Sequence, residues 1–430
     1  MKKQRKSMLK QHLFYALIIV GMISCAKEGK FGDDQQDHFV KFYGTSSYDQ
    51  GFQVQQTSDG GYVILGNTTT PGRGTDISLI KTDAFGNEVW RRTFGDTGDD
   101  EGKSFEIDAS GGFVITGFIS RVNSEGDATD RDVCLIKTNS SGILVWNEPI
   151  IFGDSGVNEE GRAIAINDQG YFIGAITDKE VVIIDSNVTN VINQSGEQDM
   201  QVIQTDFNGA LTQNILTRGR AGNDVVNDIL IINDEVILIG HTQLGNRTRA
   251  FPTVLLASLK IGANGFNSAE YNRTIDGQTE VSVGAIVKDG DLILLNNITT
   301  SSGNSSIEIV ALIPDKTYIT KWSNILQIDN ASTTGSAIIL TDDNEFIVAG
   351  TVEKEGGDRD IVLLKLDAEG NQKWQQTYGS PNQNEQGECI LQTPDGGYVT
   401  LGTLGLASDG SRIRNSTITL IRTDSEGGLK

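Results

Sequence analysis

Histidine is nearly missing from this chain, with three residues in 430. His12 falls in the basic N-terminal segment, which leaves His38 and His241. Two histidines exclude a histidine-cluster metal site and make a histidine-based nucleophile system a poor fit. Cysteine is as scarce, with three residues. Basic residues are outnumbered, 35 Lys and Arg against 57 Asp and Glu, for a formal charge of −22. A chain so acidic repels phosphate backbones, which argues against a nucleic-acid partner. Proline is rare, at six residues, and no apolar run after the N-terminal region is long enough to cross a membrane as a helix. What the chain does have is glycine, 50 residues, and its glycines recur at intervals.

The interval belongs to an internal repeat. One eight-residue element occurs seven times, as "DGGYVILG" from Asp59, "SGGFVITG" from Ser110, "DQGYFIGA" from Asp168, "NDEVILIG" from Asn233, "DGDLILLN" from Asp289, "DNEFIVAG" from Asp343 and "DGGYVTLG" from Asp395. Each copy is a tight turn followed by alternating apolar residues, which is hairpin chemistry. A strand such as "GFQVQQT" or "KSFEIDA" precedes the turn. A variable loop and a third strand follow, as in "DISLIKTD", "DVCLIKTN" and "DIVLLKLD". A second turn, "AFGN" or "AEGN", leads to a fourth strand such as "EVWRRTFG", "LVWNEPIIFG" or "QKWQQTYG". No helical period intervenes. Four short antiparallel strands per unit, repeated seven times, predict an all-β chain: a seven-bladed β-propeller of four-stranded blades over residues 38–430.

The seventh unit ends at "RTDSEGGLK", where its fourth strand should begin. The missing strand stands at the other end, where "HFVKFYGTSSYDQGF" aligns with "EVWRRTFGDTGDDEG". The N-terminal strand is therefore expected to close the last blade and remove two open sheet edges. Trp90, Trp146, Trp322 and Trp374 share one place on the fourth strand, and an aromatic there is expected to cover the interface between blades. Cys134 and Cys389 lie in the apolar patterns "DVCLIK" and "GECILQ" of non-adjacent units. They read as small buried hydrophobes and not as a disulfide.

The unit resembles the degenerate propeller repeats of secreted and lipid-anchored proteins of Bacteroidetes-type bacteria, on "DGGY" followed by "DISLIKTDAFGNEVWRRTFG". Residues 59–95 and 357–402 carry the likeness well, and 170–330 weakly. The resemblance implies the propeller and no defined activity. The turn also looks somewhat like that of quinone-dependent dehydrogenases, but the chain has neither their neighbouring cysteines nor an eighth unit.

The N-terminus reads as an address. "MKKQRKSMLKQH" is basic, "LFYALIIVGMI" is apolar and short, and Ser24-Cys25 resembles the lipobox of bacterial lipoproteins. The resemblance implies a signal peptide over 1–24 and acylation (palmitate or a similar chain) of Cys25. Residues 25–37, "CAKEGKFGDDQQD", read as a flexible tether. Its acidic cluster resembles a surface-export signal. Together these imply an outer-membrane lipoprotein, held to the membrane by its lipid alone and displayed at the cell surface.

Two sets of residues are candidates for chemistry. Just before each first strand stand Asp49, Asp100, Glu159, Asp224, Glu280, Thr333 and Glu385. In a propeller, the six carboxylates would encircle one mouth of the central channel. There they would bind a cation such as Ca²⁺, supply an acid–base pair, or cap their own turns. The sequence leaves those three uses open. The second set sits in the variable loops between second and third strands: Arg73, Arg121, Arg131, Arg247, Arg249, Arg359, Arg412 and Arg414, with Phe251. Arginine beside an aromatic suits recognition of a protein or a glycan. No nucleophile elbow, metalloprotease motif, EF-hand loop or P-loop is present, and no cofactor is called for. The expected function is a non-enzymatic binding or scaffold module for an envelope protein or glycan. The alternative is a glycoside hydrolase or polysaccharide lyase with Asp100 and Glu159 as acid and base.

Overall fold

A computed structural model describes residues 38–45, 48–70, 72, 74–122, 128–179, 182–185, 188–191, 198–213, 215–218, 222–243, 252–262, 270–273, 278–314, 318–328, 330–381, 383–407 and 413–429. The expected signal segment, Cys25 and the tether lie outside the described residues, as do Arg73, Arg247, Arg249, Phe251 and Arg412. The described residues of 38–430 contain strands and turns and no helix.

The strands group into four-stranded antiparallel units. Sheet 1 runs Asp49–Gln56, Tyr62–Thr70, Gly74–Thr82, Glu88–Phe94, with each strand paired to the next. Sheet 2 (101–152), sheet 3 (159–218), sheet 4 (223–273) and sheet 5 (278–326) repeat that order. Residues 332–378 form sheet 6, and 384–423 with Phe39–Tyr43 form sheet 7. One parallel bridge, Arg359 to Asn384, joins sheets 6 and 7 into a single eight-stranded sheet. Phe39–Tyr43 pairs antiparallel with Ile413–Thr423, from Phe39 opposite Arg422 to Tyr43 opposite Ile418. The strand expected from the N-terminal alignment therefore sits where that alignment placed it.

The repeated sequence explains the repeated strands. In the "DGG" turn Gly60 takes φ +81°, a conformation that glycine reaches without strain. The Asp59 carboxylate accepts from the Gly61 N–H (3.1 Å) and the Thr57 hydroxyl (2.5 Å). Buried Lys81, at the end of the third strand, donates to Asp59 at 3.0 Å. Lys365 with Asp343 and Arg422 with Asp395 do likewise, while Lys137 pairs with Asp108, two residues ahead of Ser110, which stands in the aspartate's place. The Asp of "DGG" and the Lys of "LIK" are thus one staple across a sheet edge. The second turn is closed by Asp83, which accepts from the N–H groups of Phe85 and Asn87 (2.9 and 2.8 Å).

Seven apolar clusters lie between successive sheets. Leu65, Ile77, Phe105 and Ile115 fill the space between sheets 1 and 2. Further clusters join 2 to 3, 3 to 4, 4 to 5, 5 to 6 and 6 to 7. The seventh, with Tyr43, Val54, Tyr62, Leu401 and Ile418, joins sheet 7 to sheet 1. The fourth-strand aromatics cap these clusters, each against the first aromatic of the next repeat. Trp90 meets Phe113 (6.1 Å between ring centres), Trp322 meets Phe346 (6.3 Å), Trp374 meets Tyr398 (6.0 Å) and Phe39 meets Tyr62 (6.4 Å).

Two expectations need correction. Trp146 does not lie on a strand: the fourth strand of sheet 2 is only Ile150–Phe152, after Pro149, which has no N–H to give a ladder. Trp146 still reaches the cluster between sheets 2 and 3. The connection after the second strand of sheet 3 also carries an unforeseen hairpin, Val182–Asp185 with Val188–Val191.

Candidate functional site

The acidic set is the clearest chemical pattern in the sequence. All seven positions are buried: Asp49, Asp100, Glu159, Asp224, Glu280, Thr333 and Glu385. The carboxylates bond within their own surroundings, and Asp49, Glu159 and Glu385 each keep one buried oxygen without a hydrogen-bond partner among the described residues. Asp49 accepts from the Thr45 N–H at 2.6 Å. Asp100 accepts from the N–H groups of Asp96 and Ser120, both at 2.8 Å. Glu159 accepts from the Asp154 backbone and Glu385 from the Ser380 N–H (3.0 Å). Four of the six thus cap the turn that brings the chain from one sheet to the next. Glu280 accepts from the Asn296 side chain (3.2 Å). Among the described residues, no three His, Cys, Asp or Glu are grouped to hold a metal ion. Turn capping, one of the three uses open to these residues, is what the structure describes for Asp49, Asp100, Glu159 and Glu385. Burial is the main reason that Glu159 is pushed up to about 7, with Asp132 and Asp154 adding to it.

The arginines of the variable loops are likewise engaged where described. Arg121 bonds to the Asp132 carboxylate. Arg131 lies over the Phe118 ring, 4.6 Å from its centre. Arg359 donates to Glu353 at 3.0 Å. Arg414 belongs to the strand Ile413–Thr423, and its side chain is outside the description.

The structure reveals another set, which the sequence reading passed over. The pairing of first and second strands slips by one residue at the same place in every sheet. Each slip is a β-bulge that leaves one residue without a cross-strand partner. The seven bulge residues are Phe52, Lys103, Arg162, Asn227, Val283, Ser336 and Glu388, and all seven line one cavity of about 210 Å³. The residue before the bulge is often glycine for want of room. A Cβ on Gly387 would stand 2.3 Å from the Gly350 carbonyl oxygen. The N–H at that place donates to the preceding sheet: Gly51 to Thr403, Gly102 to Asn67, Gly335 to Asn297 and Gly387 to Thr351.

The bulge side chains then reach the following sheet. Arg162 donates to the Val226 carbonyl (3.3 Å), Asn227 to Ser282 (2.8 Å) and Ser336 to Gly387 (2.6 Å). Lys103 pairs with Glu101 (2.5 Å) and Glu160 (3.7 Å), and Arg162 with Glu160 (2.7 Å). Both cavity bases are therefore neutralised. The acids are not. Burial pushes Asp228 up to about 6 and Glu388 to about 8, and it pushes Glu106, which is outside the cavity lining, up to about 7. Asp228 is held by the N–H groups of Ile229 and Ala285. His241, beside Asn227, is pushed down to about 4 by burial, so it is neutral at ordinary pH.

A signal for this ring was present in the sequence. In "DQGF", "DEGK", "EEGR" and "EQGE" the fourth residue changes chemistry while the others repeat. Searching for repetition finds the frame and skips the residue that varies.

No protein-family model matches the sequence, and a comparison with curated proteins finds no match. Solved structures do match. A polysaccharide lyase of family PL25, an ulvan lyase, aligns with a TM-score of 0.54 at 10% identity, covering 90% of this chain and 97% of the lyase. The same kind of lyase bound to a -[GlcA(1-4)Rha3S]- fragment gives 0.52 at 11% identity, over 90% and 97%. YCF48 from Cyanidioschyzon merolae gives 0.45 at 9% identity, over 89% and 98%. At these identities the likeness concerns the fold alone, and the fold is all-β and propeller-like.

Proposed function

We propose that residues 38–430 form a closed seven-bladed β-propeller acting as a binding module at the bacterial envelope, tethered through an acylated Cys25. Seven four-stranded units and seven clusters between neighbours, the last returning to sheet 1, support the closed ring. The observation that carries the binding reading is the bulge ring. Seven equivalent positions hold seven different side chains around one cavity, on a frame that otherwise repeats. Recognition surfaces are built that way, whereas an acid–base pair needs two carboxyls free to reach substrate. Asp100, the candidate acid, is fully buried and held by two backbone N–H groups.

The partner proposed for the rim is a protein or glycan, met by the arginine loops that include Arg247 and Arg249. Capture from envelope extracts by the wild type, and its loss on Arg247→Glu with Arg249→Glu, is the expected result. Metabolic labelling with a fatty acid should mark the wild type and spare Cys25→Ala. Polysaccharide turnover that disappears in Asp100→Asn or Glu159→Gln would replace the binding reading with the lyase or hydrolase one.

A further inference from the structure

Another cavity, of about 520 Å³, opens between sheets 6 and 7 at the end where their tight turns lie. The turns that wall it join first to second strands and third to fourth, so it is at the opposite end of the strands from the arginine loops. Trp374 and Pro394 give it apolar surface, and both sheets give it polar groups. Its size falls within the roughly 300–1,000 Å³ of sites that take small organic ligands.

One lining residue departs from the repeat. In sheets 2 to 6 the residue paired with the first buried side chain of the second strand is aliphatic: Ile107, Ile166, Ile231, Val287 and Leu340. In sheets 1 and 7 it is glutamine. Gln56 turns back on its own turn, its Nε2 donating to the Gly60 carbonyl at 3.2 Å. Gln392 instead reaches across to sheet 6, where its Oε1 accepts from the Asp342 N–H at 2.8 Å. Among the described residues its NH₂ group has no acceptor, and the exposed Asp342 carboxylate beside it has no donor. Ser425, on the second turn of sheet 7, adds an exposed hydroxyl without a partner.

The other charges of the lining are matched. Lys365 pairs with Asp343 (2.9 Å), Lys373 with Glu345 (2.8 Å) and Asp395 with Arg422 (2.8 Å). Asp342 and the exposed Glu426 are left, so the lining disfavours anions. A bare cation at Asp342 meets the Gln392 NH₂ group, which is itself a donor. One acceptor and one donor, on planar groups tied to each other, match two adjacent hydroxyls instead. We infer that this cavity binds a neutral pyranose sugar through a vicinal diol held between Asp342 and Gln392, with the ring against Trp374 and Pro394. A sugar ring offers hydroxyls that donate and accept along its edge and C–H groups on its face, which suits a lining of mixed polarity. The inference rests on the binding reading and deepens it: it chooses a glycan and places it at the turn end of sheets 6 and 7.

The test is saturation-transfer NMR of the intact protein, titrated with the methyl glycosides of glucose, galactose and mannose. Galacturonate and 1,4-diaminobutane serve as charged probes. Saturable binding of at least one neutral glycoside is expected, with galacturonate weaker than methyl galactoside.

Gln392→Leu, which repeats the side chain of Leu340 in sheet 6, should weaken binding about tenfold, the upper range for one hydrogen bond. Asp342→Asn keeps the shape, removes the charge and should weaken the neutral glycosides more than galacturonate. Ser425→Leu, on an exposed turn away from the packed strands, crowds the cavity and should weaken binding too. Thermal melting reports whether each variant is folded. No saturable binding of a neutral glycoside, or binding that any folded variant leaves unchanged, overturns the inference. So does binding of galacturonate or the diamine with none of the glycosides. Failure here leaves envelope capture through Arg247 and Arg249 standing, and failure of that capture leaves the glycoside titration readable, because the two sites share no residue.

Discussion

Two sets of seven residues run through this molecule in parallel, and they differ in what repeats. The set at the entry to the first strands repeats its chemistry: six carboxylates and a threonine, all buried. The set at the bulge, three residues further along, repeats only its position. The first is bound to its own neighbourhood, as when Asp100 caps the turn from Asp96. The second meets in one cavity although its members are far apart in sequence. A side chain kept in every repeat serves what every repeat must do, which is to turn and pack. A place kept while its side chain changes is free to serve something that happens once per molecule.

The comparison breaks most decisively if the frame is less essential than it looks. Removing residues 38–43 deletes the fourth strand of sheet 7 and buried Tyr43. The loss should exceed about 4 kcal/mol, the upper range for a large buried side chain. Urea unfolding checks this, and an unchanged midpoint would show that the fold does not depend on the pairing of Phe39–Tyr43 with Ile413–Thr423.

Next comes Asp100→Ala, which leaves the N–H groups of Asp96 and Ser120 without their acceptor. About 2 kcal/mol is expected for the orphaned buried groups. A cost near zero would return Asp100 to the list of residues available for chemistry.

A smaller effect follows from pH. Glu106, Glu159 and Glu388 hold their protons more tightly in the fold, up to about 7, 7 and 8, against an ordinary glutamate value of 4.5. Between those values the folded state carries more protons than the unfolded one, so stability falls as pH rises. The contribution is fully present below about 4.5 and is lost as pH passes 7 and then 8. Urea midpoints measured across that window should decline. Glu388→Gln should flatten the upper part and Glu159→Gln the middle.

The smallest effect sharpens the comparison from the other side. Val283→Thr, at a bulge in the cavity wall and at the margin of the cluster between sheets 5 and 6, exchanges one methyl for a hydroxyl and should cost no more than about 1 kcal/mol. A much larger loss in the same unfolding assay would mean that the bulge ring is also architecture.

The frame was legible because hairpin turns need particular residues. Asp59, Gly60 and Lys81 are tied to one another by the turn they make, so they recur wherever it recurs. The aromatic partners were half legible: Trp90 and Trp374 stood out, but their contacts Phe113 and Tyr398 lie in the next repeat and looked like ordinary strand residues. The acids at the strand entries were visible and their use was not. The sequence shows that Asp100 recurs, but not which N–H groups lie within 3 Å of it. The bulge ring was hidden by its own variety. Lys103, Val283 and Glu388 have nothing in common until a slipped register turns each one away from the ladder.

The pairing of Phe39–Tyr43 with Ile413–Thr423 also sets a timetable. About 370 residues separate Tyr43 from Ile413, so the first strand made waits for the last. At roughly 5–20 residues per second of synthesis, that wait is on the order of 20–70 seconds. Sheets 1 to 6 are each drawn from one continuous stretch and can assemble as the chain emerges. Sheet 7 cannot. Until then the early strand carries Val40 and Phe42, which stay exposed even in the finished fold, along an edge with no partner. An unpaired apolar edge recruits other strands. The join that completes the molecule is therefore also the interval in which it is most open to pairing with a wrong chain.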